Sequence, residues 1–367
     1  MGKTGVLPKQ TLRELLASGC LSGITERYLN PASIDLPLAE EAYRLESIFL
    51  PLHEGEKVRD LLPTVGATPH RFDTPLEVGV PYLFRIAGEW KLPSMVYGYA
   101  NPKSSTGRIG FFCRTIADGI DMYDALFRPG WSGELWLLAR PDYFPVLLQP
   151  GLALSQMRLF DGKSFLDDLH TELAIGDAGL AFDEGGKKLS LSETRRHDNS
   201  FMLTIHVEGM TGWECRGTRK VLDMSKTGFY DPADFFEPVC VSNGKYILRK
   251  NCFYILTTRE RIKVPPYLSA ELRAIEPRLG EFRSHAAGYI DPGWGCGADG
   301  EGCGRPITLE VIPQEDTLIR HGQRIARLRY EYMKSVPEVR YDDSGGSHYS
   351  DQETARLSKH FKKPVQL

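Results

Sequence analysis

No run of eighteen apolar residues occurs in the 367-residue chain, so no segment reads as a membrane-spanning helix. The opening stretch, MGKTGVLPKQTLRELLASG, lacks the apolar core of a secretory leader and reads as ordinary folded chain. Charge of one sign is lacking too. Forty-five basic residues against 48 acidic ones, a formal net charge of −3, leave no global field for a nucleic-acid backbone; such a role would need a local patch. The seven cysteines are odd in number, scattered, and nowhere form C-x-x-C. That argues for reduced thiols in a cytoplasm rather than a disulfide framework. Helical signals are few: Thr11 to Ala17, the Ser164 to Leu173 region, and Asp351 to His360.

What the chain does have is glycine and proline, 36 and 24 of them, between short Val/Ile/Tyr/Phe runs, which predicts mainly β structure with many turns. It also repeats itself. Tyr82 to Pro93 (YLFRIAGEWKLP) matches Tyr254 to Pro265 (YILTTRERIKVP), each an alternating apolar segment running into a proline. Arg108-Ile-Gly110 matches Arg278-Leu-Gly280, Pro129-Gly-Trp131 matches Pro292-Gly-Trp294, and Gly151 with Leu154, Met157 and Phe160 matches Gly322 with Ile325, Leu328 and Tyr330. Four landmarks in one order at offsets of 172, 170, 163 and 171 residues point to a duplicated unit. The expected organisation is a first β-barrel or sandwich repeat over 1–165, a linker over 166–200, a second repeat over 201–335 and a C-terminal tail over 336–367.

Five segments resemble a known family. Ala32-Ser-Ile-Asp-Leu36 resembles its early A-S-x-D-x-x-L signature, and Asn101-Pro-Lys-Ser-Ser-Thr-Gly-Arg-Ile-Gly110 its R-S-S-x-x-R-x-G motif. Tyr289-Ile-Asp-Pro-Gly-Trp-Gly295 resembles the I-D-P-G-W-x-G hairpin, and Ile307-Thr-Leu-Glu-Val311 the strand bearing the catalytic glutamate. Gly346 to Ser358 resembles the closing tail, centred on K-Y-x-x-Q. The family is the dCTP deaminases of the trimeric dUTPase-like fold, in their tandem, double-length bacterial form. The resemblance implies two tandem dUTPase-like domains with a few short helices, and hydrolysis of dCTP to dUTP and ammonia, supplying dUTP for dTMP synthesis. It assigns catalysis to Glu310, Ser104, Arg108 and Asp291, and substrate binding to Lys103, Ser105, Arg278, Trp294, Tyr341, His348, Tyr349 and Gln352.

Each copy departs from the pattern where the other keeps it. The first keeps Ser104, Ser105 and Arg108 but has Arg128 for the hairpin aspartate and Leu138 for the catalytic glutamate. The second keeps Asp291 and Glu310 but has Ala274 for the serine and an insertion, Cys296 to Arg305, in its hairpin. Complementary losses predict a composite site, with the serine loop from one repeat and the carboxylate from the other, over the alternative of a ring of second repeats alone; the resemblance implies a homo-oligomer of trimer-like packing.

The residue types suit this chemistry. Glu310 would take a proton from water and return it to departing ammonia; strand alternation, read alone, makes it a solvated carboxylate on the face of Thr308 and Ile312. Ser104 would hold the water, Ser105 a phosphate, Lys103 the triphosphate charge and Arg108 developing charge, or Lys-Ser-Ser-Thr-Gly is a solvated turn. Asp291 either orients sugar and water or caps its own turn. Tyr341, His348, Tyr349 and Gln352 form a lid hinged at Gly345 and Gly346, or an untethered polar terminus. His348 stands where a lysine is usual.

A zinc deaminase needs H-x-E followed by P-C-x-x-C. His206-Val-Glu208 and His170-Thr-Glu172 give only the first half, and Cys296 and Cys303 have no second pair. No zinc is therefore expected, and magnesium enters only on the nucleotide triphosphate. Two rivals remain: a dUTP pyrophosphatase or bifunctional dCTP-to-dUMP enzyme, and a non-catalytic nucleotide-binding regulator.

Overall fold

The computed structural model describes residues 4–363 except 129, 195–199, 276, 280–281, 284–286 and 344–347. The chain folds as two compact units that are not contiguous in sequence. One comprises Val6–Lys163, Gly217–Asp234 and Ser358–Leu367; the other comprises Met1–Gly5, Ser164–Arg216 and Phe235–Leu357.

In the first unit, α1 (Lys9–Ala17) buries Leu12. The strands β1 (Ile34–Arg44), β2 (Tyr82–Ile86), β3 (Tyr97–Pro102), β4 (Phe111–Ala117), β5 (Leu135–Pro141) and β6 (Ala153–Phe160) build one antiparallel sheet. Its order is β4-β5-β2-β1-β6-β3, followed by Ala125–Leu126. The eleven-residue β1 joins its two halves, pairing β6 through Ile34 to Pro37 and β2 through Leu38 and Ala42 to Arg44. A strand shared in this way bends the sheet toward a barrel. Leu135 to Ala139 are buried on both faces, which is why β5 reads as a continuous apolar run rather than an alternation. Between β2 and the short strand Glu89–Lys91, Gly88 has φ of 89° and lies so close to Ser22 that a Cβ would meet its carbonyl oxygen at 1.9 Å. Only glycine fits that turn.

The second unit starts with α2 (Asp168–Ala178), whose N-cap Asp167 accepts a 2.9 Å hydrogen bond from the His170 N–H. This helix lies inside the stretch read from sequence as linker. The strands β7 (Phe201–Thr204), β8 (Gly209–Cys215), β9 (Glu237–Val241), β10 (Phe253–Ile262), β11 (Leu268–Arg273), β12 (Arg305–Pro313) and β13 (Arg324–Tyr332) form two sheets. One runs β9-β8-β10-β12 and then Phe282–Arg283; the other runs β7-β13-β11 and then Tyr289–Ile290. Their inward faces close on an apolar core that includes Phe201, Leu256, Leu272, Leu309 and Leu328. The mainly β expectation therefore holds.

The helix expected over Asp351 to His360 does not form: the segment is turns and extended chain. Its polar groups are taken by neighbouring strands instead. Gln352 Nε2 donates to the Pro306 carbonyl at 2.8 Å, and the Arg356 N–H reaches Thr308 Oγ1 at 3.5 Å. Such side-chain bonds compete with a helical ladder. For the same reason this part of the tail is not an untethered terminus.

On β5, Leu138 pairs across to Leu83 and is fully buried with Leu45, Val58, Ile116 and Trp136. Leu138→Ala is expected to cost about 3 kcal/mol, read as a lower urea midpoint at unchanged m-value. A loss below about 1 kcal/mol would contradict the packing described.

Candidate active site

In the second unit, β12 is an interior strand. It pairs β10 on one side and Phe282–Arg283 on the other. Glu310 sits opposite Ile255 of β10 and is only 3% exposed, between Leu309 and Val311 at 0%. Its Oε2 accepts a 3.3 Å hydrogen bond from the Ala287 N–H. The solvated reading from strand alternation is thus overturned. Alternation separates two faces, but in this unit both faces of β12 are covered.

The hairpin upstream of β12 is set by glycine. Gly293 and Gly295 have φ of 92° and 71°, and a Cβ on Gly295 would meet the Ile262 carbonyl oxygen at 2.6 Å. Gly293 N–H donates to the Val264 carbonyl and Val264 N–H to the Trp294 carbonyl, both at 2.9 Å. Asp291 is half-buried, and its carbonyl accepts from the Trp294 N–H at 3.3 Å.

Trp294, 6% exposed, packs its ring 5.1 Å from Tyr341, with the Arg305 guanidinium 5.6 Å from its centroid. Arg305 Nη1 also pairs with Asp342 Oδ1 at 2.6 Å, while Asp342 Oδ2 accepts from the Gly297 N–H at 3.0 Å. The first residues of the tail are therefore fastened to the hairpin and its insertion. Further on, Tyr349 and Gln352 are buried, Gln352 bonded to Pro306 of β12 and the Arg356 guanidinium 5.8 Å from the Tyr349 ring. His348 is exposed, as is Arg278 in the short helical turn Pro277–Leu279. Gly345 and Gly346 lie outside the described residues.

The serine loop belongs to the first unit. Ser104–Gly107 form one helical turn in which the Thr106 and Gly107 N–H groups donate to the Lys103 carbonyl at 2.8 and 2.9 Å. Ser105 and Arg108 are 7% and 5% exposed, and Ser104 is half-buried, so this is not a solvated turn. Lys103 Nζ pairs with the Asp35 carboxylate, which also accepts from Asn30 Nδ2 at 2.7 Å. Beside them is a cavity of about 240 Å³ lined by Arg27, Lys103, Ser105, Lys359 and His360, among others. Ser358 Oγ donates to the Ser105 carbonyl at 2.8 Å. Burial, and then the neighbouring Lys103 charge, depress the Lys359 pKa, while Asp35 opposes them. Sequence reasoning missed Arg27 and Lys359; the basic run Lys359-His-Phe-Lys-Lys363 is the signal that could have found the latter.

The positions where each copy departs from the motif are structural. Arg128 donates to the Gly119 carbonyl at 2.9 Å and pairs with Glu54 at 3.2 Å, and the Ala274 carbonyl accepts from Arg327 Nε at 2.9 Å. The thiol of Cys296 donates to the Val264 carbonyl at 3.4 Å, and burial pushes its pKa up to about 11. It is held as a thiol, not as a thiolate ligand. His170 Nδ1 lies 2.7 Å from Asp167 in the first turn of α2.

Comparison with known proteins finds family models matching both halves of the chain. Residues 3–163 match the 2'-deoxycytidine 5'-triphosphate deaminase N-terminal domain and residues 184–361 its C-terminal domain. Among curated proteins, the chain is 33% identical over 133 residues to "dCTP deaminase, dUMP-forming" of Methanobrevibacter smithii, and 31% identical over 127 residues to the protein of the same name from Halobacterium salinarum. Those matches cover 33% and 34% of this chain and span 64% and 60% of the relatives' lengths. The crystal structure of 2'-deoxycytidine 5'-triphosphate deaminase from Agrobacterium tumefaciens aligns with a TM-score of 0.83 and 31% identity, covering 91% of this chain and 97% of that one. Likeness at this identity along nearly the full length of a solved relative, with both halves matched, means that this chain belongs to the dCTP deaminase family.

Proposed function

We propose that the chain hydrolyses dCTP to dUTP and ammonia in the cytoplasm, as a hydrolase acting on a cyclic amidine. The observation that carries this reading is Glu310, a carboxylate 3% exposed in an apolar interior strand, whose Oε2 accepts from the Ala287 N–H. Water adds to C4 of cytosine, and its proton passes to Glu310. The same proton then goes to the exocyclic amine, the C4–N bond breaks, and ammonia leaves. One carboxylate cycling between its two forms meets both needs.

In the same reading Ser104 holds the water, Arg108 steadies developing charge, and Asp291 orients sugar and water. Trp294, Tyr341, Arg278, His348, Tyr349 and Gln352 contact the nucleotide. Lys103, Ser105, Arg27 and Lys359 receive the phosphates, with Lys359 providing the cation that His348 does not. Magnesium comes with the triphosphate. No zinc serves the reacting carbon in this reading, because the chain has no C-x-x-C to hold it.

The duplication is part of the proposal. Its support is register: Leu138 faces Leu83 across β5 and β2 as Glu310 faces Ile255 across β12 and β10, and Met157 faces Ala100 as Leu328 faces Leu272. Complementary losses between the copies support a composite site in a homo-oligomer with trimer-like packing.

A second reading, release of dUMP and pyrophosphate, is favoured by the dUMP-forming names of the relatives. Incubation with dCTP and magnesium is expected to yield ammonia and dUTP in equal amounts. Pyrophosphate released alongside ammonia would establish the second reading, and nucleotide binding without ammonia would leave only a regulator. Glu310→Gln is expected to lower kcat roughly 10³-fold while dCTP still binds by calorimetry; unchanged ammonia release would exclude Glu310. Lys359→Ala is expected to raise KM for dCTP roughly tenfold or more with kcat nearly kept, the loss of one charge-assisted contact. A fall in kcat alone would remove Lys359 from the phosphate subsite.

A further inference from the structure

One half-motif from the sequence, His206-Val-Glu208, has no part in the reaction described above. In the second unit His206 follows β7, and His321 sits in the turn just before β13. Glu184 lies on the chain segment after α2. One donor atom from each of Glu184, His206 and His321 lies within 4.8 Å of the others. The backbone holds both histidines in place: His206 N–H donates to the Thr257 carbonyl at 3.0 Å, and His321 N–H to the Gly244 carbonyl at 2.9 Å. Ile205 and Gly322 tie the two segments together, with 2.9 Å bonds from Ile205 N–H to the Gln323 carbonyl and from Gly322 N–H to the Ile205 carbonyl. The imidazole rings meet edge to face with centroids 5.3 Å apart. Their side chains are 30% and 22% exposed.

The hydrogen bonds of His206 pose a problem that a cation solves. Its Nε2 is 2.9 Å from the Glu208 carbonyl oxygen, and its Nδ1 is 2.8 Å from Glu184 Oε1. Both partners are acceptors, and a neutral imidazole has one N–H. With Nε2–H given to the carbonyl, the Nδ1 lone pair points at a carboxylate oxygen. Something positive has to stand between them, either a second proton or a metal ion. A ring N–H donated to a backbone carbonyl is also the usual outer contact of a metal-bound histidine. Arg259 Nη2 holds the other oxygen, Glu184 Oε2, at 3.1 Å and so keeps Oε1 turned toward the rings. Glu208 Oε1, 4.0 Å from His321 Nδ1, supplies a fourth donor. Its charge and that of Glu184 outweigh the single Arg259 guanidinium.

We propose that Glu184, His206 and His321, with Glu208, bind one divalent transition metal of the zinc class. Two imidazoles and carboxylates suit zinc, nickel or copper better than magnesium. Tetrahedral zinc with ligands at about 2.0–2.1 Å needs the donors drawn closer than they stand, and half-exposed side chains can rotate by that much. His321 gives up the 3.3 Å bond that its Nδ1 accepts from the Val207 N–H. The role is structural: the ion staples the chain after α2 to the ends of β7 and β13, apart from the reacting nucleotide.

The test uses the full-length protein, stripped with chelator and titrated with zinc chloride alone by calorimetry, and with cobalt chloride by visible absorption. One equivalent is expected to bind, with the intense d–d bands of tetrahedral cobalt and a raised melting temperature. His206→Gln and His321→Gln are each expected to weaken binding at least 100-fold and abolish the cobalt bands, whereas His170→Gln, on α2, keeps both. If a histidine variant fails to fold, Glu184→Gln gives the same readout through shifted cobalt bands. No binding by the stripped protein, or undiminished binding in both histidine variants, overturns the proposal; in the first case a proton bridges His206 and Glu184.

Discussion

A carboxylate placed inside a β-sheet loses its water, at a cost of several kcal/mol unless polar partners replace it. The second unit is arranged around Glu310 in that position. Its strand must be interior, so it is paired on both sides by β10 and Phe282–Arg283. The tail runs against the same strand, with Gln352 bonded to Pro306 and Arg356 to Thr308. Something must also hold the tail there, and the Arg305–Asp342 pair beneath Trp294 fixes its first residues to the hairpin.

The first unit meets the same constraint in the opposite way. Leu138 needs no polar partner, so its surroundings are Leu83, Ile116 and Trp136. With leucine at that position, this unit carries cations elsewhere: Lys103 balanced by Asp35, with Arg27 and Lys359 around one cavity. A buried acid and a cluster of cations make contradictory demands on dielectric and counter-charge. Dividing them between two barrels lets each be met without compromise.

Much of this was legible in the sequence, and the gaps have physical causes. Strands such as β10 and β13 announced themselves because apolar runs between turn residues leave few alternatives. Glu310 was found by its motif, whereas alternation argued against it, since alternation detects only sheets with one wet face. The helix at 351–360 was misread because periodicity cannot see that Gln352 and Arg356 bond to strands more than forty residues away in the chain. Lys359 was missed for a topological reason: its partners Lys103 and Asp35 lie over 250 residues upstream.

The non-contiguous units bear on how the chain is made. Val146–Leu147 pair in parallel with Leu222–Asp223, and Tyr230 bridges Phe361, all within the first unit. A ribosome delivers residues in order, so the unit whose strands emerge first is the last to be finished. Its nascent barrel must wait, with the Ser105 carbonyl still open to water, until Ser358 emerges. The second unit has all its strands before then. Order of synthesis and order of completion are reversed, and a chain cut before Ser358 would injure the first unit rather than the second.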